Sequence, residues 1–281
     1  MRSIRVDRFN LHDTIECGQT FTWRHEGNGY VNSDVGQVVY VEQRGNRLFY
    51  ETSSHSINLR KLFRLDDPLL EIQEEISRPG IMQQSIDFAP NLRIVRDPFF
   101  PCLISFICST QKGIPAIHTL MNNIRNKFGP RYEFRDKTYF GFPKPETLVN
   151  ACLNDYECLG AGYRSSYIHR TVETINGGKI TEETLATMNY TDAHRSLKML
   201  HGVGDKVADC VCLFSLGFLN AFPIDVWIER VIHDHYLIFT RGGNSYAKKS
   251  AAARDYFGRY AGYAQEYLFY FSRFSGLGPN T

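Results

Sequence analysis

The hydrophobic pattern of the chain changes period once. Over the first ninety or so residues, β-branched and aromatic positions alternate with polar ones in residues 20–26 (TFTWRHE), 30–33 (YVNS), 38–43 (VVYVEQ) and 47–52 (RLFYET). Gly27-Asn28-Gly29 separates the first two runs and a short Gly45-Asn46 turn the last two. A period of two with this composition predicts an antiparallel sheet with one face covered, and a helical piece from Pro68 to Ile76 is expected to cover it. From about Asp97 the period lengthens to 3.6, with Ile114, Ile117, Leu120, Met121, Ile124 and Phe128 on one helical face. Further helices are predicted over 182–188, 192–200, 207–216, 226–237 and near 256–274, and a loop rich in Pro, Gly and aromatics between Gly129 and Pro145. The fold class is therefore α+β, an N-terminal antiparallel β domain over 1–95 packed on an all-α domain over 96–281. No flexible linker marks the boundary, which predicts tight packing between the parts.

Composition narrows the class without deciding it. A chain of 281 residues buries a sizeable core without disulfides. Its seven cysteines, Cys17, Cys102, Cys108, Cys152, Cys158, Cys210 and Cys212, are odd in number and scattered, as expected of reduced thiols in an intracellular protein. The first residues lack an apolar leader, and no stretch approaches the ~18 apolar residues of a membrane span, so a soluble protein is expected. The net charge of +2 does not announce a nucleic-acid partner. That case rests on motifs.

The informative stretch runs from Leu197 to Cys210: a helix, the hairpin Gly202-Val203-Gly204, and a second helix carrying Lys206. Gly202 and Gly204 allow close backbone approach, and the helix that follows starts with unpaired N–H groups, so the corner suits a phosphate without a large positive charge. Alone, a GxG turn between helices is more often steric than functional. Lys206 in the first turn and Asp225 nineteen residues later, before the helical run Trp227, Ile228, Val231 and Ile232, change the balance. A lysine at the positive end of a helix and beside aromatic surface has its charged form disfavoured, which makes it a nucleophilic amine. Asp225 at the N-cap of the next helix stays ionised and can stabilise positive charge at a sugar C1′. Taken singly, Lys206 is more often a solvated charge and Asp225 a plain cap.

GVGDKVADC followed by FPIDVW resembles the helix-hairpin-helix plus Gly/Pro-Asp signature of the DNA glycosylase superfamily, with a lysine in the slot that marks its bifunctional branch. The likeness to the 8-oxoguanine DNA glycosylases extends further. Gly18-Gln19-Thr20-Phe21-Thr22-Trp23-Arg24 is similar to that family's β-domain segment, Asp97 through Gln111 to its first α-domain helix, residues 159–164 to its wedge loop and Ala264 to Phe269 to its base-pocket helix. The resemblance implies a TBP-like β domain, excision of 8-oxoguanine from duplex DNA, and strand cleavage through a Schiff base on Lys206. It implies that the carbonyl of Gly18 accepts the N7 hydrogen of the lesion and that Tyr163 wedges into the stack. Lys206 and Cys210 are four apart, as are Gln265 and Phe269, so each pair shares a helical face. Phe269 and Cys210 are expected to sandwich the base while Gln265 reads its edge. The plain alternative for Phe269, in a chain with 20 Phe, is core packing.

The sequence departs from the animal enzymes at four places. Gln111-Lys112-Gly113 stands in place of an asparagine run, with Gln111 as the substitute amide; Ala116 replaces an arginine that contacts the opposite cytosine, leaving Arg164 as second reader. Trp227 and His201 replace a histidine and a proline. These changes suggest a prokaryotic or archaeal-type member, expected in the cytoplasm or nucleoid. Iron–sulfur chemistry is not expected, because the last cysteine, Cys212, precedes Asp225. No cofactor is expected beyond a structural monovalent or calcium ion, which the resemblance places on the carbonyls of Lys198, Leu200 and Val203. A monomer acting on double-stranded DNA containing oxidised guanine is expected. The alternatives left open are another damaged purine as substrate and a non-catalytic DNA-binding module.

Overall fold

Residues 1–275 are described by the structure, a computed structural model. Five strands, β1 (Arg2–Arg5), β2 (Trp23–Glu26), β3 (Gly29–Asn32), β4 (Val39–Arg44) and β5 (Arg47–Thr52), form an antiparallel sheet in the order β1-β5-β4-β3-β2. Tyr30 lies opposite Val41, and Val41 opposite Tyr50, so the apolar set of each strand reaches the same face. Strand β1 escapes the alternation rule because two of its four residues are arginines. The first predicted strand starts later than its pattern suggested, since Thr20 and Thr22 leave the ladder and turn their hydroxyls to the Asp97 carboxylate at 2.6 and 2.9 Å.

The expectation of one covered face is corrected at β3, next to the edge strand β2, where the whole strand is buried. Its second face carries a small cluster of Val31, Val38 and Tyr139, roofed by a hairpin of β6 (Arg131–Phe134) and β7 (Lys137–Phe140) in the segment read as loop. That hairpin turns through Arg135 (φ 52°) and Asp136 (φ 58°), left-handed positions that carry no glycine to announce them. Arg135 is held instead by Glu51 at 2.8 Å and by the Tyr40 ring, 3.9 Å away.

Three further expectations shift. The helix Leu69–Ile76, expected to cover the sheet, packs instead toward the C-terminal helix, where Gln73 Nε2 donates to the Tyr267 hydroxyl at 2.8 Å. The last predicted helix is two, Tyr246–Phe257 and Ala261–Phe274, broken at Gly258 (φ 70°) by a short 3₁₀ turn. The helix after the hairpin, Asp205–Val211, passes into a π-turn over Cys212–Leu216 and stops at Gly217 (φ 84°). Helix Ile114–Phe128 agrees with its pattern, burying Ile117, Leu120, Met121 and Ile124.

Arg125, on that same helix, ties the helical body to the sheet. It pairs with Asp34 at 2.5 Å, both side chains out of solvent, and donates to the Phe21 carbonyl at 2.8 Å. Removing one partner of so buried a pair costs about 3–5 kcal/mol, so this contact fixes the orientation of the Gly18–Phe21 segment. Among the described residues no helix is long and apolar enough to cross a membrane.

Candidate active site

Among the helices, closed on one side by the loop that carries Gly18 and Phe21, lies a cleft of about 1250 Å³, lined by Gly18, Phe106, Ser109, Lys206, Asp225, Phe269 and others. The wall that carries Lys206 and Asp225 is built by three elements. Helix Phe99–Cys108 is buried throughout and presents Phe106, whose ring stacks on Phe214. Lys206, one residue into its helix, lies 5.1 Å above the Phe106 ring and donates from Nζ to Ser109 Oγ at 3.0 Å. Ser109 Oγ in turn donates to the Phe106 carbonyl at 2.7 Å, which holds the hydroxyl in place as acceptor. Asp225 caps helix Val226–His235, one carboxylate oxygen accepting from Trp227 N (3.0 Å) and Ile228 N (2.9 Å). Burial pushes this carboxyl above the usual range, opposed by those N–H donors and by the nearby Lys206 charge.

A buried network that no motif announced connects the two. Asp209, one turn along from Lys206 and fully buried, accepts from the hydroxyls of Tyr190 (2.5 Å) and Tyr246 (2.6 Å). The Tyr246 hydroxyl also accepts from Ile224 N at 3.1 Å, the residue before Asp225. The lysine helix and the aspartate loop are thereby joined through one phenol. Ser109, Asp209 and Tyr246 were missed because their roles depend on tertiary neighbours, although Ser109 and Asp209 sit inside the motifs quoted above.

The opposite wall starts at Gly18 (φ 110°), in the left-handed region where glycine is favoured. Gln19 fixes this corner, donating to the carbonyls of Thr14 and Arg93 at 2.8 Å and accepting from Val95 N at 2.8 Å. A Cβ at Gly18 would fall 3.1 Å from Phe269 Cε1 and 3.0 Å from Arg273 Nη1. The Asp97 carboxyl below anchors this segment by accepting from the Thr20 and Thr22 hydroxyls, and burial pushes it up to about 7 against those donors. Phe269 reaches the cleft, whereas Gln265 and Cys210, 4% and 2% exposed, lie behind its lining. Gln265 Oε1 and Glu266 Oε1 are buried without a hydrogen-bond partner. Burial pushes the Cys210 thiol up to about 12, so it is a neutral SH.

Two loops meet at the cleft's rim. The carbonyl of Thr110 accepts from the Tyr163 hydroxyl at 3.3 Å and from Arg164, whose guanidinium lies 4.3 Å from the Tyr163 ring. Tyr163 is half exposed and Gln111, at φ 52°, is an exposed part of the cleft lining; Lys112 Nζ donates to the Gly160 carbonyl at 2.8 Å. Arg164 is buried with its head turned onto Thr110, and Ala116 is exposed in the first turn of its helix. Gly202 (φ 82°) is required sterically, since a Cβ there would meet the Tyr167 ring at 2.5 Å, while Gly204 faces open space. Lys198, Leu200 and Val203 line the same cleft. No group of three or more His, Cys, Asp or Glu able to hold a metal occurs among the described residues.

Residues 104–255 match the helix-hairpin-helix (HhH-GPD) superfamily of base excision DNA repair proteins, and residues 3–103 the N-terminal domain of 8-oxoguanine DNA glycosylase. The chain belongs to that superfamily. Its 8-oxoguanine DNA glycosylase branch is indicated by relatives along the whole length. An N-glycosylase/DNA lyase of Saccharomyces cerevisiae is 30% identical over 265 residues, 84% of this chain and 70% of that one. The 8-oxoguanine glycosylase/lyase of Clostridium acetobutylicum, in its apo form, superposes with a TM-score of 0.87 at 34% identity, covering 96% of each chain. A second structure of that protein, bound to double-stranded DNA with cytosine opposite 8-oxoguanine, also gives 0.87 and covers 95% and 93%. A 3-methyladenine DNA glycosylase from Archaeoglobus fulgidus shares the fold at 20% identity (TM-score 0.79, covering 99% and 100%), so the fold by itself does not choose the base.

Proposed function

We propose that this chain is a bifunctional DNA glycosylase and abasic-site lyase that removes 8-oxoguanine from double-stranded DNA. The observation that carries the reading is the Lys206 amine, bonded to Ser109 inside the cleft that Asp225 also lines. The flipped base enters against Phe269, a step that costs a few kcal/mol of unstacking and is recovered by pocket contacts. Lys206 Nζ attacks C1′ as the C1′–N9 bond breaks with its electron pair on the base, and Asp225 stabilises the oxocarbenium-like state. The C1′–N adduct loses a proton from nitrogen and opens the sugar ring as the C1′–O4′ bond breaks with its pair on O4′, giving a Schiff base; this acidifies C2′, and loss of a C2′ proton with β-elimination expels the 3′ phosphate and nicks the strand.

The remaining assignments follow. The Gly18 carbonyl takes the N7 hydrogen of the lesion, Gln265 reads the Watson–Crick edge, and Cys210 backs the face opposite Phe269. Tyr163 is the wedge, Gln111 fills the vacated stack and Arg164 faces the opposite strand after leaving Thr110. The hairpin Gly202–Gly204 meets a phosphate, and the carbonyls of Lys198, Leu200 and Val203 would hold a hard cation, which would add positive charge there. Leu200 O already accepts from Val203 N at 3.2 Å, which leaves its second lone pair for that ion. We place the boundary between the two domains near residue 95. With Ala116 in place of a cytosine reader, excision should depend only weakly on the opposite base, which rates from four duplexes differing in that base would read.

The deciding test is nicking and borohydride trapping on an 8-oxoguanine:cytosine duplex, beside a panel of other damaged purines. Wild-type protein should trap on 8-oxoguanine and Lys206→Gln should bind but not trap. Trapping that survives the substitution removes Lys206 from this role, and preference for another lesion changes the substrate.

A further inference from the structure

The corner at Gly18 holds a charge that the reaction above does not use. Arg273 leaves the C-terminal helix four residues beyond Phe269 and eight beyond Gln265, so the three share a face. Its half-buried guanidinium lines the cleft together with Gly18, Phe269 and Lys206. Nη1 donates to the Cys17 carbonyl at 3.4 Å, a long bond, and among the described residues no carboxylate lies within ion-pair distance of it. The absence of a Cβ at Gly18 is what lets Nη1 and the Phe269 ring come so near the backbone there. Burial lowers the Arg273 pKa from its ordinary value, against the nearby Cys17 and Glu266 groups, yet a guanidinium keeps its charge. A cation partly stripped of water, holding one long bond to a carbonyl, has donors to spare for a ligand in the cleft.

The lesion's distinctive atom is the carbonyl oxygen on C8, adjacent to N7–H. With N7–H on the Gly18 carbonyl, as proposed above, the C8 oxygen falls at the same corner. We propose that Arg273 is a catalytic and specificity-determining residue that donates a hydrogen bond to the C8 carbonyl oxygen of the flipped purine. This rests on the reading of Lys206 and Asp225 given above and extends it to the leaving group. When the C1′–N9 bond breaks, its electron pair stays on N9 and spreads by conjugation through C8 to that oxygen; water later supplies the proton the free base takes up. Arg273 holds the charge while it develops, so the contact is stronger in the transition state than in the bound substrate. Purines without an oxygen on C8 gain neither effect.

The test compares wild type, Arg273→Leu and Arg273→Lys on three duplexes: 8-oxoguanine:cytosine, a pre-formed abasic site opposite cytosine, and undamaged DNA. Single-turnover excision by the Leu variant should fall roughly a hundredfold, and Lys should restore most of it. Abasic-site nicking, in which no base occupies the pocket, and binding to undamaged duplex should stay within about twofold. Equal losses on the lesion and abasic duplexes would reduce Arg273 to a structural residue, and unchanged excision would remove it altogether. Weaker binding of undamaged DNA with a log–log salt slope shallower by about one would make it a phosphate contact. Wild-type protein that nicks no abasic duplex would overturn the Lys206 reading, and this one with it.

Discussion

The two walls of the cleft are finished to different degrees. On the wall that carries Lys206 and Asp225 the polar groups have partners: Lys206 on Ser109, Asp225 on two helix amides, Asp209 and Ile224 N on Tyr246. On the base-facing wall Gln265 and Glu266 keep buried oxygens without partners, and Arg273 has one long bond. Buried polar atoms are rarely left so, because each costs about 1–3 kcal/mol. On the proposed reading, the groups assigned to the reaction are already paired in the free protein, whereas those assigned to recognition keep polar atoms for a ligand.

The largest expected break of this comparison is at Asp225. Asp225→Asn keeps a capping side chain and removes the charge, so single-turnover excision should drop by roughly two orders of magnitude or more while melting temperature and DNA binding hold. Near-normal turnover would demote Asp225 to a cap. On the other wall, Gln265→Leu replaces an amide by an apolar group of similar volume. Excision should fall about tenfold while the melting temperature stays level or rises, since an unpaired buried oxygen is removed. A loss of both would mean that Gln265 supports the fold. Tyr246→Phe deletes only the phenol that joins the lysine helix to the aspartate loop. A several-fold loss of excision is expected, together with about 1–3 kcal/mol of stability. In an Asp225→Asn background the same change should cost no further excision, because its effect runs through Asp225; an undiminished loss there would show a general role in stability.

The smallest effect concerns Glu266, whose carboxyl is pushed up to about 7 by burial. The unfolded chain loses this proton near pH ~4.3, so between the two values the folded state binds more protons and stability declines as pH rises. Above about 7 the decline from this group is complete. Glu266→Gln should therefore gain on wild type by a few degrees in melting temperature between about pH 5 and about pH 8. A constant difference would place the proton elsewhere. Asp97, raised the same way, remains in both proteins.

What was legible in the sequence was whatever local chemistry encodes. The period of the strands, the face of helix Ile114–Phe128, the glycines of the hairpin and the spacing of Lys206 to Asp225 all survive in the structure. The β6–β7 hairpin was not legible, because Arg135 and Asp136 take left-handed angles without a glycine, and the partners that hold Arg135, Glu51 and Tyr40, are far off in sequence. The break at Gly258 hid inside a run with helical period. Tyr246 carries no signature, and the motif that contains Ser109 does not mark its hydroxyl, since a hydroxyl acquires its role from what folds against it. Arg273 was passed over for the same reason: it becomes a site residue only because Gly18, 255 positions earlier, lacks a side chain.

The most direct test of the central claim is to map the covalent bond itself. Wild-type protein is trapped with borohydride on an 8-oxoguanine:cytosine duplex, digested, and sequenced by mass spectrometry. The account predicts the reduced deoxyribose remnant on the Lys206 side chain, in the peptide spanning the hairpin. A remnant on any other amine, or efficient base release with no adduct, would contradict it.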